Sequence, residues 1–435
     1  MTRGPTVGFA GMTHLGLVSA VASAASGCRT VGWDADKARI DDIAAGRFPV
    51  VEPDLDALAE AHRERLAFTA DVAGLASCDI VYIATDVPTD AAGRSDLSPI
   101  DGLVEQVRRV LGREALLVIL CQVPPGYTRR IALAPERLFY QVETLVFGRA
   151  VERATKPERI IVGCADPTRP LPSAYGRFLE GFGCPILPMR YESAELAKIA
   201  INCCLVASVT VANTLAELSE RMGADWSEIA PALKLDRRIG AYSYLTPGLG
   251  LSGGNLERDL ATVLRLSLET GSEAGLIAAF LANSAHRRDW PLRVLHEHLL
   301  AGADDPVIAV LGLAYKENTH STKNSPSLAL LRHLGRWRVR LYDPVVPASA
   351  AEHPRAEAAR SVLEAVTAAD AVMIMTPWPE FRSLRPEQLA AAMRGRLVVD
   401  PYRLLDPTAC AAAGLDHLVL GAAPAGAEQK MHSNA

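Results

Sequence analysis

The chain lacks most of what would mark a nucleic-acid, membrane or disulfide protein. No run of lysine or arginine stands out and the formal net charge is −5, so nucleic acid and anionic membrane are not expected partners. The longest apolar runs, such as 115–121, fall far short of the roughly 20 residues that span a bilayer. The opening residues, Met1 to Pro5, lead straight into a strand-like run without the shape of a secretory signal. Cysteine is scattered: eight residues with no metal-ligand spacing, the adjacent Cys203 and Cys204 falling in a helical pattern. These absences predict a cytoplasmic protein with free thiols and no metal.

Glycine is abundant in one place. Across 247–259 the sequence reads Pro-Gly-Leu-Gly-Leu-Ser-Gly-Gly-Asn-Leu-Glu-Arg-Asp, with Gly248, Gly250, Gly253 and Gly254 within seven residues. Such a stretch is neither a stable helix nor a strand and suits a loop lying close to a ligand or another chain. It stands between two regions that each read as an α/β unit, and 435 residues suffice for two or three domains.

In the first region, Pro5 to Ala10 reads as a buried strand, and an alanine-rich helix begins near Leu17. Between them lies Gly11-Met12-Thr13-His14-Leu15-Gly16, a dinucleotide turn with its first and third glycines and a threonine at the second. The next strand, Thr30 to Trp33, ends at Asp34, about 20 residues past the glycines, where an acid holds a ribose 2′-hydroxyl and repels a 2′-phosphate. NAD is therefore expected rather than NADP. Two further apolar strands end in polar turns carrying Thr85, Pro88 and Gln122, at the ligand edge of an open parallel sheet.

From Glu192 to about Met222 the apolar spacing predicts one long helix, with Leu196, Ile199, Cys203 and Val206 on one side and Glu195, Lys198 and Asn202 sharing another face. Strands at 307–312, 339–342, 371–375 and 397–400 then describe a second α/β unit. The expected fold is two Rossmann-like doubly wound domains, at 1–190 and 304–421, joined by a helical domain at 191–303. A disordered tail is expected from 422 to 435.

Several segments in series resemble the UDP-glucose/GDP-mannose dehydrogenase family over roughly 6–406. They include the dinucleotide turn, Glu52-Pro53-Asp54-Leu55, Val87-Pro88-Thr89-Asp90, Val123-Pro124-Pro125-Gly126, Glu195-Leu196-Ala197-Lys198-Ile199-Ala200-Ile201-Asn202, Asp236-Arg237-Arg238-Ile239-Gly240, and Leu313-Ala314-Tyr315-Lys316. The resemblance implies an NAD-dependent oxidoreductase acting on a UDP- or GDP-linked sugar, with a homodimer interface in the helical domain. It implies Gly11, Thr13, His14, Leu15, Gly16, Asp34, Thr85, Pro88 and Gln122 at the cofactor. Lys198, Asn202, Asp259 and Glu143 are implied at the reacting carbon, with Arg238, Tyr244, Gly250 and Lys316 as further substrate contacts; Arg403 is a looser candidate for the cofactor.

Two departures bear on the chemistry. Where the family carries a cysteine that captures an aldehyde as a thiohemiacetal, this chain has Asn255, and a carboxamide is not such a nucleophile. Where the family has a threonine thought to help position water, this chain has Gln122. The family's Asn-Pro-Glu-Phe-Leu segment is Gln141-Val142-Glu143-Thr144-Leu145, so only the glutamate and leucine remain. The expectation is one two-electron oxidation at or near C6, from alcohol to ketone or aldehyde, as would suit an antibiotic-pathway octose. The alternatives are a full four-electron oxidation to a uronic acid, or a non-catalytic binder of sugar nucleotides.

Overall fold

A computed structural model describes residues 4–90 and 93–423. The chain forms two compact units, 1–201 and 202–435.

The first unit is built on a sheet of β1 (Thr6–Ala10), β2 (Arg29–Trp33), β3 (Leu66–Thr69), β4 (Ile80–Ile83), β5 (Leu116–Ile119), β6 (Leu138–Gln141), β7 (Ile160–Cys164) and β8 (Ile186–Arg190), in the order β3-β2-β1-β4-β5-β6-β7-β8. The β6–β7 pair is antiparallel and the others are parallel. Every residue of β4 and β5 is buried, as expected of strands covered by helices on both faces. The strand order reverses at β1, which pairs with β2 on one side and β4 on the other, so the crevice beyond its carboxyl end is the place for a ligand.

In the second unit the strands β9 (Val307–Leu311), β10 (Arg338–Tyr342), β11 (Ala356–Ala358), β12 (Ala371–Ile374), β13 (Leu397–Val399) and β14 (Asp416–Leu418) form a fully parallel sheet ordered β11-β10-β9-β12-β13-β14. Its switch point lies beyond β9. The two sheets thus share the doubly wound order that the sequence predicted, and the first extends it by the antiparallel addition of β7 and β8.

The predicted long helix runs Tyr191–Met222. Ile199 and Val206 are buried as its spacing required, but Leu196 is half-exposed, so the buried stripe starts a turn later than expected. In the second unit this helix packs with Asn255–Thr270 and Gly275–Arg288 around a small core of Val206, Leu251, Leu260, Ile277 and Phe280. By length and composition the long helix also passes as a membrane span, with mean hydropathy 1.8 over its most apolar window, a feature that contiguous apolar runs did not reveal. Ala422, at the start of the predicted disordered tail, pairs with Asp225; the rest of that tail from 424 lies outside the described residues.

Candidate active site

The dinucleotide turn is shaped by its two glycines. Gly11 has φ +99°, and a Cβ there would stand 3.0 Å from the Thr85 side chain. A Cβ on Gly16 would fall 1.7 Å from the Gly11 carbonyl oxygen, so the helix His14–Ala25 leaves the turn at a distance only glycine permits. Thr13 explains how the second glycine was lost. Its φ is −80° and its ψ −169°, extended backbone that any residue adopts, and its Oγ1 accepts from the Asp86 N–H at 3.0 Å. The N–H groups of the helix's first turn, at His14, Leu15 and Gly16, have no partner within the helix and suit a pyrophosphate.

Asp34 is buried beside the same turn. Its Oδ2 accepts from the Met12 N–H at 2.8 Å and from the Arg39 guanidinium at 2.7 Å, and its Oδ1 accepts from the Asp36 N–H at 2.9 Å. The cap of the following helix is Asp36, which accepts from the Arg39 N–H, so capping does not account for Asp34. His14 turns to a partner of its own: Nε2 lies 2.8 Å from the buried Glu52 carboxylate, and its ring stacks on Phe147 with centroids 4.1 Å apart. Glu52 also accepts from the N–H groups of Gly148 and Ala150. The Thr85 N–H donates to Cys121 Sγ at 3.2 Å, and burial pushes that thiol up to about 12, which keeps it protonated. The Pro88 carbonyl accepts from the Asp96 N–H, closing its turn, and Gln122 is buried. A left-handed glycine, a helix start seated against it and an anchored acid at the end of β2 fit NAD.

Lys198 and Glu143 come together in the first unit. Lys198 Nζ lies 2.7 Å from Glu143 Oε1, and the two side chains are 11% and 15% exposed. The helix that carries Lys198 is fixed one turn earlier by Glu195, which is fully buried and accepts from the N–H groups of Gly126 at 2.5 Å and Thr128 at 2.8 Å. Burial raises the Glu195 carboxyl above its ordinary value, and those two backbone bonds pull it back.

In the second unit Asn202 donates from Nδ2 to Asp259 Oδ2 at 2.5 Å, with both residues buried. Asn255 is the exposed first residue of the helix Asn255–Thr270, preceded by Gly254 at φ +106°. The glycine loop is pressed onto the segment after β9. A Cβ on Gly253 would stand 2.7 Å from the Tyr315 ring, one on Gly254 would stand 2.8 Å from the Lys323 chain, and the Gly253 N–H donates to the Lys323 carbonyl at 3.0 Å. Asn324 Nδ2 donates to Glu257. Gly250 makes its close approach to the neighbouring helix, where a Cβ would lie 2.4 Å from the Ser284 carbonyl oxygen.

The remaining predicted contacts are more dispersed. Arg238 is exposed and bonds to Asp236, Tyr244 is half-exposed, and Lys316 lies 5.6 Å over the Tyr315 ring. Arg403 grips Asp225 at 2.6 Å and Ser227, so its guanidinium is engaged by the helical region. Beyond β9, Asp343 accepts from the N–H groups of Leu313 and Ala314 at 2.6 and 3.0 Å, repeating in the second sheet the bond of Asp34 to the turn after β1. Glu52 and Glu195 are both buried, and nothing in the sequence but their place inside segments that carry the resemblance marks them as site residues.

Comparison with known proteins places the chain among sugar-nucleotide enzymes along its whole length. Residues 5–174, 192–284 and 309–407 match the NAD binding, central and UDP binding domains of the UDP-glucose/GDP-mannose dehydrogenase family. The UDP-glucose 6-dehydrogenase of Pseudomonas aeruginosa is 30% identical over 442 residues, covering 96% of this chain and 97% of that protein. TuaD, a UDP-glucose 6-dehydrogenase of Bacillus subtilis, is 28% identical over 94% of this chain and 92% of its own length. The structure of a UDP-glucose dehydrogenase from Pyrobaculum islandicum superposes with a TM-score of 0.80 at 28% identity, covering 92% of this chain and 94% of that one.

Proposed function

The chain belongs to the UDP-glucose/GDP-mannose dehydrogenase family of NAD-dependent nucleotide-sugar oxidoreductases, and within that family we propose that it removes a single electron pair from its sugar. The residue that carries this reading is Asn255. Its amide stands where the family has a sulfur nucleophile, and it cannot form a thiohemiacetal with an aldehyde.

The chemistry assigned to the remaining residues needs no covalent intermediate. NAD, held by the turn from Gly11 to Gly16 and by Asp34, would supply the hydride acceptor. The Lys198 ammonium, held by Glu143, stabilises the oxygen as the hydroxyl proton departs towards that pair. In the second unit the bonded Asn202 and Asp259 are the other buried polar pair assigned to catalysis. The alcohol carbon loses one hydride and its oxygen one proton, leaving a ketone or an aldehyde. Arg238, Tyr244, Gly250 and Lys316 are assigned to the substrate, with cofactor binding within 1–190, the helical domain at 191–303 and the sugar nucleotide within 304–421.

Counting NADH per sugar consumed, with mass analysis of the product, tests the reading. One equivalent and a loss of two hydrogens are expected. Two equivalents with an added oxygen would mean a uronic acid and overturn it.

A further inference from the structure

Beside the Lys198–Glu143 pair the first unit holds a cavity of about 70 Å³. A water needs about 10–15 Å³ on that scale, so the space takes a branch of a few heavy atoms or several waters. Phe9, Tyr82 and Gln141 line it from the carboxyl-end halves of β1, β4 and β6, Leu120 from just past β5, and Leu15, Ser19 and Ala22 from the helix His14–Ala25. Glu143 and Thr144 line it from the segment that follows β6.

The lining has a fixed polarity. Gln141 accepts at Oε1 from the hydroxyls of Tyr82 at 2.8 Å and Tyr175 at 3.1 Å, and its amide nitrogen has no hydrogen-bond partner among the described residues. With the oxygen occupied twice, the NH₂ is left as a donor for an acceptor inside the cavity. The two guanidinium groups that line it, Arg153 and Arg159, share the single Glu158 carboxylate, which leaves one positive charge over. Thr144 stands where the family's pattern has phenylalanine, and the smaller side chain leaves room that a ring would fill.

We propose that this cavity receives a carbon branch on the sugar's reacting carbon, making the substrate a nucleotide sugar with a secondary alcohol and the product a ketone. The branch carries an oxygen that accepts from Gln141. This rests on the single-oxidation reading and sharpens it: a ketone has no hydrogen left to lose as hydride, so a chain without the sulfur nucleophile completes its reaction, and the substituent that makes the alcohol secondary needs space beside Glu143.

The test compares UDP-glucose with its 6-C-methyl and 6-C-hydroxymethyl derivatives on the wild type and on two variants that fill the cavity from different sides, Thr144→Phe and Ala22→Leu. NAD titration by protein fluorescence and the Tm verify that each variant is folded, and the better-folded variant decides if one is not. The wild type should favour the 6-C-hydroxymethyl sugar in kcat/KM by roughly tenfold or more, the scale at which a pocket resolves small groups. Each filling should erase that preference, mainly through KM. A wild type that favours UDP-glucose, or a preference that survives both fillings, overturns the proposal. The NADH count separates the two readings: two equivalents from UDP-glucose defeat single oxidation itself, whereas one equivalent with an unmoved preference defeats only the cavity assignment.

Discussion

At the scale of single residues, the consequence of Asn255 is that its removal should matter little while loss of its neighbours in function matters a great deal. Asn255 is exposed at a helix start, whereas Lys198 and Asp259 are buried and paired. Lys198→Met should lower kcat by about 10²–10⁴-fold, the span of a positioned proton-transfer group. Asn255→Ala should stay within about tenfold of the wild type, since no covalent step depends on it. Steady-state kinetics on one sugar nucleotide decide both; a loss at Asn255→Ala as deep as at Lys198→Met would give the amide a chemical role it is denied here. Thr13 carries a second expectation. Its backbone does not need glycine, and its hydroxyl accepts from the Asp86 N–H, so Thr13→Gly should weaken NAD binding by removing that tie between the first turn and the turn after β4. Equilibrium fluorescence titration of NAD reads this directly, and tighter binding by the glycine variant would show that the side chain obstructs the cofactor.

At the scale of elements, charge pairs hold the helical region together. Arg287 is fully buried and bridges Glu217 at 3.3 Å and Glu220 at 2.9 Å, joining the helix Gly275–Arg288 to the long helix. Arg287→Ala would leave two carboxylates without their buried cation and should cost about 3–5 kcal/mol, measured by urea unfolding. Near the start of the helix Trp226–Leu235, the Arg403 guanidinium holds Asp225 at about 2, below the ordinary carboxylate value of 3.8. A depressed folded pKa means that the pair stabilises above about pH 4 and that this stabilisation is lost as the pH falls to 2. Asp225→Asn should therefore flatten the fall in urea midpoint over that interval.

These pairs also show where sequence reading stopped. The strands of β1, β4, β5, β9 and β12 were legible because their apolar runs stand out locally, and the long helix because its period persists over 32 residues. The three- and four-residue strands β3, β11 and β14 carry too little pattern, and the antiparallel turn of β7 onto β6 depends on pairing rather than on composition. The site was legible where spacing is local, as for Lys198 and Asn202 on one helix. It was opaque where partners are distant: His14 and Glu52 are 38 residues apart, and Asp225 and Arg403 are 178 apart.

At the scale of the whole molecule, the long helix demands an explanation for its surface. Val211, Leu215, Leu218 and Met222, spaced 4, 3 and 4 residues apart, lie on one face and are 52%, 40%, 50% and 60% exposed. By length and composition the helix passes for a membrane span, yet the helix's polar groups speak against hydrocarbon. Glu195 is taken up by backbone N–H groups, Asn202 by Asp259, Asn213 by the Gly248 N–H, and Glu217 and Glu220 by Arg287. A helix satisfied by protein at five positions along its length is built for a protein interior, and carboxylates at those depths in a bilayer would be costly. A second copy of the chain covering the stripe would account for both features, because full burial of such side chains contributes about 1.5–3 kcal/mol each. The protein should therefore sediment as a homodimer without detergent, and Leu218→Glu together with Met222→Glu should shift it to monomer. A wild type that sediments as a monomer, or one that needs detergent to stay in solution, would take the stripe away from self-association.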